Sequence, residues 1–197
     1  MGDIVGSRKK EGAIQMEVFN KLISFLNTNY KDQILSPLTI TLGDEFQGVV
    51  KNRRAGEEMI IAAEEWLLNK TENIKIRFLL HYGIIETPIN PEIAYGMLGK
   101  GLTDARDGLN AMKKEKDRFK VSGMEDNDNI NDHFILFQSI IDGWSIADRK
   151  LVADFLKESD YKKVAEMNKK DASLMWKRER SLKIREYKII KELILKD

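Results

Sequence analysis

Residues 36–50 read Ser-Pro-Leu-Thr-Ile-Thr-Leu-Gly-Asp-Glu-Phe-Gln-Gly-Val-Val. Residues 38–42 and 46–50 are rich in β-branched and large apolar side chains, so each segment predicts a strand. A glycine and two acids separate them. The pattern therefore predicts a β-hairpin whose tip carries the carboxylates of Asp44 and Glu45.

Another acid stands in a short apolar run near the N-terminus. Residues 2–8 read Gly-Asp-Ile-Val-Gly-Ser-Arg, which predicts a first strand around Asp3. Only two residues precede this acid, whereas strands usually have about five or six residues. Either the true start lies upstream or the first strand is short.

The rest of the hydrophobic pattern predicts a mixed fold. Helical periodicity at residues 13–30 and 55–69 and strand alternation at 74–81 complete a β-α-β-β-α-β order. We therefore expect an α+β chain. Its ferredoxin-like, palm-type domain would span residues 1–123, with an extra helix at 102–116 and an extra strand at 118–121. A linker at 124–130 and a helical domain at 131–197 would follow.

This topology predicts that Asp3 and Asp44 meet. In a β-α-β-β-α-β fold, the first and third strands are antiparallel neighbours at the sheet centre. Neighbouring strands lie about 4.8 Å apart, so both carboxylates could share one cation. Glu45 could join this metal or point to solvent. Gly6 would let the chain approach a ligand, and the helix near residue 13 would offer free N–H groups to a phosphate. Alternatively, these acids and glycines simply form turns.

Composition restricts the other possibilities. The 197 residues include no cysteine and only two histidines, His81 and His133, which excludes disulfides, thiolate catalysis and multi-histidine metal sites. The net charge of +1 and 33% charged residues are typical of an ordinary soluble protein. No apolar run approaches the roughly 18 to 20 residues of a membrane span. We expect a cytoplasmic protein without a membrane partner.

The net charge is unevenly distributed along the chain. Residues 157–197 contain thirteen Lys or Arg and eight Asp or Glu, a net charge of +5, which leaves −4 for residues 1–156. Within the basic segment, residues 161–167 and 171–181 have the proportions of a helix-turn-helix, with Ala165 as the small residue between the helices. The turn lacks the usual glycine, and Lys170 stands where an apolar residue is usual. We expect double-stranded DNA to be contacted by Ser173, Trp176, Lys177, Arg178 and Arg180. The alternative is a helical bundle with a charged face used for dimerisation.

Several motifs resemble known families. Asp3-Ile-Val-Gly6 resembles the metal-binding strand of class III nucleotide cyclases, and Leu42-Gly-Asp-Glu-Phe46 resembles their second metal strand and the signature of diguanylate cyclases. Together with Asp104-Ala-Arg106 and the helical tail, these segments most closely resemble the SatD family of bacterial proteins over nearly the whole chain. That family has no firmly established activity.

The cyclase resemblance implies Mg²⁺ or Mn²⁺ held by Asp3, Asp44 and Glu45, a nucleotide, and a homodimer. The residues expected to bind the nucleotide or its phosphates are Ile4, Gly6, Ser7, Arg8, Gly43, Lys100 and Arg106.

The chain also departs from the cyclase pattern. Ile40 stands where a purine-reading lysine is expected, and Thr103 and Asp107 replace an asparagine and a phosphate-stabilising arginine. Lys100 or Arg106 could substitute for that arginine. Because stabilisation of phosphate charge is a large part of phosphoryl transfer, we interpret the site as degenerate and more suited to binding than to catalysis. The sequence thus predicts a regulator that binds Mg²⁺, a nucleotide and DNA. The alternative is a divergent nucleotide cyclase or a related phosphoryl-transfer enzyme. Such an enzyme would use a metal bound by Asp3 and Asp44, and its helical tail would mediate dimerisation.

Overall fold

The computed structural model describes residues 1–6, 12–125 and 127–196 and shows a mixed α+β architecture. Within these ranges the strands are β1 (Gly2–Ile4), β2 (Ile34–Leu42), β3 (Glu45–Val50), β4 (Ile76–His81) and β5 (Phe119–Ser122). The helices in the described part of the chain are α1 (Gly12–Asn29), α2 (Arg53–Leu67), α3 (Lys100–Met112), α4 (Asp128–Ile141), α5 (Ile146–Lys157), α6 (Tyr161–Asn168), α7 (Ala172–Ser181) and α8 (Ile184–Ile194). A 3-10 turn, Lys31–Gln33, precedes β2.

The strands form one sheet in the order β2-β3-β1-β4-β5. β1 lies between β3 and β4 and is antiparallel to both, which confirms the predicted pairing of the first and third strands. β5 adds to the edge and is parallel to β4. The hairpin between β2 and β3 turns at Gly43, whose φ is +53°, and Asp44, as predicted.

One face of the sheet carries most of the core. The rings of Phe46 on β3 and Phe78 on β4 meet across Gly2 of the intervening β1, and Phe119 on β5 stacks on Phe78. Phe46 also contacts Phe19 of α1, and Phe119 contacts Phe134 of α4. These side chains belong to a single buried cluster that also includes residues of α2 and of α5 to α8. Hydrophobic packing therefore continues across residues 124–130.

The opposite face of the sheet is covered in part by α3. Because successive side chains of a strand point to opposite faces, Leu79 lies on the other side from Phe78. There it packs with Ala105, Leu109 and Met112 of α3. Gly108 permits this approach, since an added Cβ would lie 2.8 Å from a Leu79 methyl carbon.

The C-terminal helices are joined to the sheet by polar contacts as well. Arg118, just before β5, bonds Glu64 of α2 at 2.8 Å and Asp142 at 3.0 Å. Tyr187 of α8 donates a hydrogen bond of 2.9 Å to Glu65. None of the helices that the structure describes is long and apolar enough to cross a membrane.

Candidate functional site

Asp3 lies where β1, β3 and β4 meet. Its register partners are Glu45 on β3 and Arg77 on β4, so the three side chains project from the same face of the sheet. The hairpin tip is adjacent, because the amide of Ile4 donates a hydrogen bond of 3.0 Å to the Asp44 carbonyl oxygen. The strands thus bring the three predicted acids to one region of the sheet.

Two basic side chains contact these acids directly. The Arg77 guanidinium bonds Asp3 Oδ1 at 2.6 Å, and both side chains are buried. Lys113, at the end of α3, places Nζ 2.6 Å from Glu45 Oε1 and 3.7 Å from Asp3 Oδ2. We refer to Asp3, Glu45, Arg77 and Lys113 as the Asp3 cluster.

The electrostatics of Asp3 follow from its burial. Only 3% of the Asp3 surface is exposed, and this desolvation raises the pKa of the Asp3 carboxyl. Arg77 and Lys113 act in the opposite direction, and the nearby Asp44 carboxylate adds to the increase, so the pKa of Asp3 lies above its ordinary value. The two cations therefore offset only part of the cost of burying this acid.

The residues present do not fit a magnesium centre as they are arranged. Mg²⁺ requires oxygen ligands in a nearly octahedral arrangement, but each carboxylate oxygen of Asp3 faces Arg77 or Lys113. Among the described residues, no three His, Cys, Asp or Glu side chains are grouped so that they could hold a metal ion. An ion between Asp3 and Glu45 would have to displace Lys113.

The predicted nucleotide-binding residues are distributed around this region. Ile4 is buried in β1, and Gly6 has a φ of +72°. Apart from each glycine and its two chain neighbours, no described atom lies within 4 Å of where a Cβ would stand at Gly6 or Gly43. Lys100 of α3 bonds Asp104 at 2.5 Å, and Arg106 lies 3.4 Å from the side-chain oxygen of Gln47. Ser7 and Arg8 lie outside the described residues.

A separate cavity opens between the C-terminal ends of β3 and β4 and the beginnings of α2 and α3. Its volume is about 550 Å³, and its lining combines apolar side chains such as Leu102 with Asn52, Arg53, His81 and Tyr82. The Nδ1 atom of His81 is 2.9 Å from the Ser122 hydroxyl, which orients the ring. Sequence reasoning did not identify this cavity, because its lining comes from segments that only the tertiary fold brings together.

The other candidate surface is on α7. Ser173, Trp176, Lys177 and Arg180 are exposed and follow the i, i+3, i+4, i+7 spacing of one helix face. The Arg180 guanidinium stacks over the Trp176 ring, 4.8 Å from its centroid. Arg178, predicted to lie with them, is half-buried and bonds Asp148 of α5 instead. We refer to the four exposed residues as the α7 stripe.

A tight turn joins α6 to α7. Lys169 adopts the left-handed conformation, with φ 51° and ψ 46°, and the amide of Lys170 bonds the Ala165 carbonyl oxygen at 2.9 Å. Asp171 then caps α7 by accepting hydrogen bonds from the amides of Ser173 and Leu174. Glycine is the usual residue at a left-handed position after a helix, whereas this chain has Lys169 there.

The family model for SatD matches residues 1–194. The chain belongs to the SatD family. No curated protein and no solved structure matches it. The match extends from β1 to the end of α8, so SatD membership covers both the Asp3 cluster and the α7 stripe, whereas the resemblance to nucleotide cyclases stays a prediction.

In this SatD-family chain, the partners of Asp3 are the residues that sequence reasoning missed. Arg77 lies on β4, on the face opposite the strongly apolar one that carries Ile76 and Phe78. Residues on such an opposite face are usually exposed to solvent. Lys113 lies more than sixty residues from Glu45 along the chain. The only sequence signal for Arg77 is its place in β4, opposite an acid in a neighbouring strand, and no sequence signal points to Lys113.

Proposed function

We propose that this SatD-family protein binds double-stranded DNA through α7, with α6, the turn at Lys169 and α7 acting as a helix-turn-helix. The α7 stripe is the observation that carries the proposal. It presents a hydroxyl, an indole and two cations on one exposed helix face. Such side chains make the phosphate and base-edge contacts of helices that enter the major groove.

The surroundings of α7 support the proposal that this helix enters the major groove. Lys162, Lys163, Lys169 and Lys170 are exposed on α6 and the turn, where they could contact phosphates on either side of the groove. Trp176 is 43% exposed, a large apolar surface to leave in water. A surface that combines an exposed aromatic ring with several cations is typical of a binding site.

The helix is also held firmly. Val164, Ala165 and Met175 are buried between α6, α7 and the helices beneath them, and Asp171 fixes the first turn of α7. Arg178 ties the helix to Asp148 on α5. A recognition helix fixed in this way loses little conformational freedom on binding.

The test is a comparison of two double variants by fluorescence anisotropy with a random-sequence DNA duplex. We expect Lys177→Ala/Arg180→Ala to weaken binding by at least tenfold and to reduce the salt dependence, since about two phosphate contacts are lost. Lys31→Ala/Lys114→Ala removes the same charge from exposed positions in the sheet-containing half and should bind as the wild type does. Equal losses in both variants would show that only net charge matters and would contradict the proposal.

Nucleotide binding by the N-terminal half forms the second part of the proposal. The observation in its favour is the cavity of about 550 Å³, whose volume lies in the usual range for ligand sites and whose lining includes Arg53, His81 and Tyr82. A nucleotide combines a flat base with anionic phosphates, which suits such a lining.

Thermal unfolding with ATP, GTP and cyclic nucleotides, each with and without Mg²⁺, tests this second part. A ligand at about 100 times its dissociation constant should stabilise the protein by about 2.7 kcal/mol. The shift should shrink in His81→Ala and persist in a variant of α1, Lys21→Ala, which lies outside the cavity lining. A nucleotide shift that His81→Ala leaves unchanged would exclude this cavity as the site.

A further inference from the structure

The Asp3 cluster already contains a cation at the place where a divalent metal would be expected. Lys113 Nζ lies between two carboxylates, 2.6 Å from Glu45 Oε1 and 3.7 Å from Asp3 Oδ2. The remaining oxygen of Asp3 is bonded by Arg77 at 2.6 Å. The acids are thus brought together by the sheet, as in a metal site, but side-chain nitrogens face them.

The position of Lys113 is fixed by the packing of α3. Met112 is fully buried and Leu109 nearly so, and both contact the Leu79 side of the sheet. Lys113 follows immediately as the C-cap residue of the helix. A cation is also favourable at this end of a helix, because it faces the negative end of the helix dipole. The backbone of Lys113 is therefore held beside β1 and β3, and its partly exposed side chain reaches the carboxylates of Asp3 and Glu45.

The formal charges of the region explain what this lysine does. In the Asp3 cluster, Asp3 and Glu45 contribute −2, and Arg77 and Lys113 contribute +2, so the four formal charges balance. Without Lys113 the cluster would have a formal charge of −1, so its carboxylates would attract another cation. With Lys113 in place, an incoming metal would meet both an occupied position and a repelling ammonium group.

We infer that the Lys113 ammonium group occupies the position of a divalent metal between the carboxylates of Asp3 and Glu45. The same ion pairs link the end of α3 to the sheet. The wild-type site consequently does not bind Mg²⁺ or Mn²⁺, because the Lys113 side chain lowers its affinity for divalent metals. This inference does not rest on the proposed binding of DNA or of a nucleotide.

Titration of Mn²⁺ into the full-length protein, followed by electron paramagnetic resonance of the free ion, tests the inference. We expect the wild type to show no saturable Mn²⁺ site in the micromolar to low millimolar range. Lys113→Met keeps the length of the side chain but removes its charge, and should bind one Mn²⁺ at least tenfold more tightly than the wild type. Lys113→Gln should show the same gain and replaces Lys113→Met if that variant does not fold by circular dichroism.

Three controls give the result its meaning. Lys114→Met changes an exposed neighbour on the same turn and should gain nothing. Lys113→Arg keeps a cation and should also gain nothing. Adding Glu45→Gln to Lys113→Met should abolish the gained site, because one of its two expected carboxylate ligands is lost.

Either of two results would overturn the inference. The first is a wild type that binds Mn²⁺ as tightly as Lys113→Met, since the lysine would then exclude nothing. The second is a set of folded Lys113 variants without any gain in Mn²⁺ affinity, which would show that these carboxylates do not form a latent metal site.

Discussion

The ion pair between Asp3 and Arg77 joins two neighbouring strands, β1 and β4, with both side chains shielded from solvent. Replacing such a pair by apolar residues of similar volume is often neutral or stabilising, because desolvation offsets much of the attraction. Removing one partner is different, since it leaves an uncompensated buried charge. Breaking the pair is therefore expected to cost more stability than replacing both of its members.

At this site we expect Asp3→Ala to lower the free energy of unfolding by about 3–5 kcal/mol, because Arg77 would remain buried without its acid. Urea denaturation followed by circular dichroism measures the loss. The double variant Asp3→Leu/Arg77→Met removes both charges and should recover most of it. If the double variant were as unstable as Asp3→Ala, lost packing rather than the unpaired guanidinium would be the cause.

The acids of this site could be predicted from the sequence, but their partners could not. Asp3 and Asp44 stand out because each follows or joins a strand-like run, and a β-α-β-β-α-β order makes the first and third strands neighbours. Strand alternation places Arg77 on the face opposite Phe78, but it does not say what covers that face. Its burial, and the approach of Lys113, depend on the packing of α3, which local patterns do not encode.

Among the structural elements, the turn between α6 and α7 contains a backbone conformation that its residue does not favour. Lys169 has φ 51°, in the left-handed region, which costs a residue with a Cβ roughly 1–2 kcal/mol. Glycine would remove this cost but would gain about 0.4–1 kcal/mol of entropy in the unfolded chain. The balance favours glycine at this position.

We therefore expect Lys169→Gly to raise the free energy of unfolding by about 0.5–1 kcal/mol. Lys170→Gly is the matched control: it removes the same charge from a residue without a positive φ and should destabilise the protein. Thermal and urea unfolding of both variants measure the difference. Equal destabilisation by both substitutions would mean that the ammonium of Lys169 has a stabilising role that outweighs its backbone strain.

Most elements follow from hydrophobic periodicity, whereas the beginning of β2 does not. The sequence predicted a strand from residue 38, but β2 begins at Ile34 and includes Pro37. Proline lacks the N–H that a central strand needs, so it argues against a strand. β2 is an edge strand with register shifts around this residue, and there the missing donor is tolerated. Edge position is a property of the whole sheet, which is why the local pattern failed.

For the molecule as a whole, the aromatic core connects the sheet with the C-terminal helices. Phe119 of β5 contacts Phe134 and Phe137 of α4, and Phe137 contacts Tyr187 of α8. Separating the helices from the sheet would expose these rings to water. The residues on either side of the predicted boundary at 124–130 are thus energetically coupled.

This coupling predicts a single cooperative unfolding transition. Trp66 lies in α2 and Trp144 between α4 and α5, so single-tryptophan variants that retain one or the other report on the two regions separately. Their fluorescence transitions in guanidinium chloride should coincide with each other and with far-ultraviolet circular dichroism. Midpoints that differ reproducibly between the two tryptophans would indicate that the regions unfold independently.

Arg118 provides the polar part of the same coupling. Its guanidinium bonds Glu64 of α2, the Ile76 carbonyl oxygen of β4 and Asp142 after α4. Burial alone would raise the pKa of the Asp142 carboxyl, but Arg118 and Lys75 outweigh this effect and hold that pKa below its ordinary value of 3.8. The folded protein therefore stabilises the ionised form of Asp142 relative to the unfolded chain.

This lowered pKa sets the sign of a pH dependence. The stabilisation from ionised Asp142 is fully present above its ordinary value of 3.8 and is lost as the pH falls through the lower folded value. We expect Asp142→Asn to be less stable than the wild type at neutral pH, and the gap in free energy of unfolding to narrow as the pH falls below about 3.8. Urea denaturation between neutral and acidic pH measures the gap, with Asp132→Asn, an exposed carboxylate on α4, as the matched control. A difference in free energy of unfolding that stayed constant down to the acid transition would mean that Asp142 acts through the geometry of its hydrogen bonds and not through its charge. The link between Arg118 and the C-terminal helices would then not depend on ionisation of the Asp142 carboxyl.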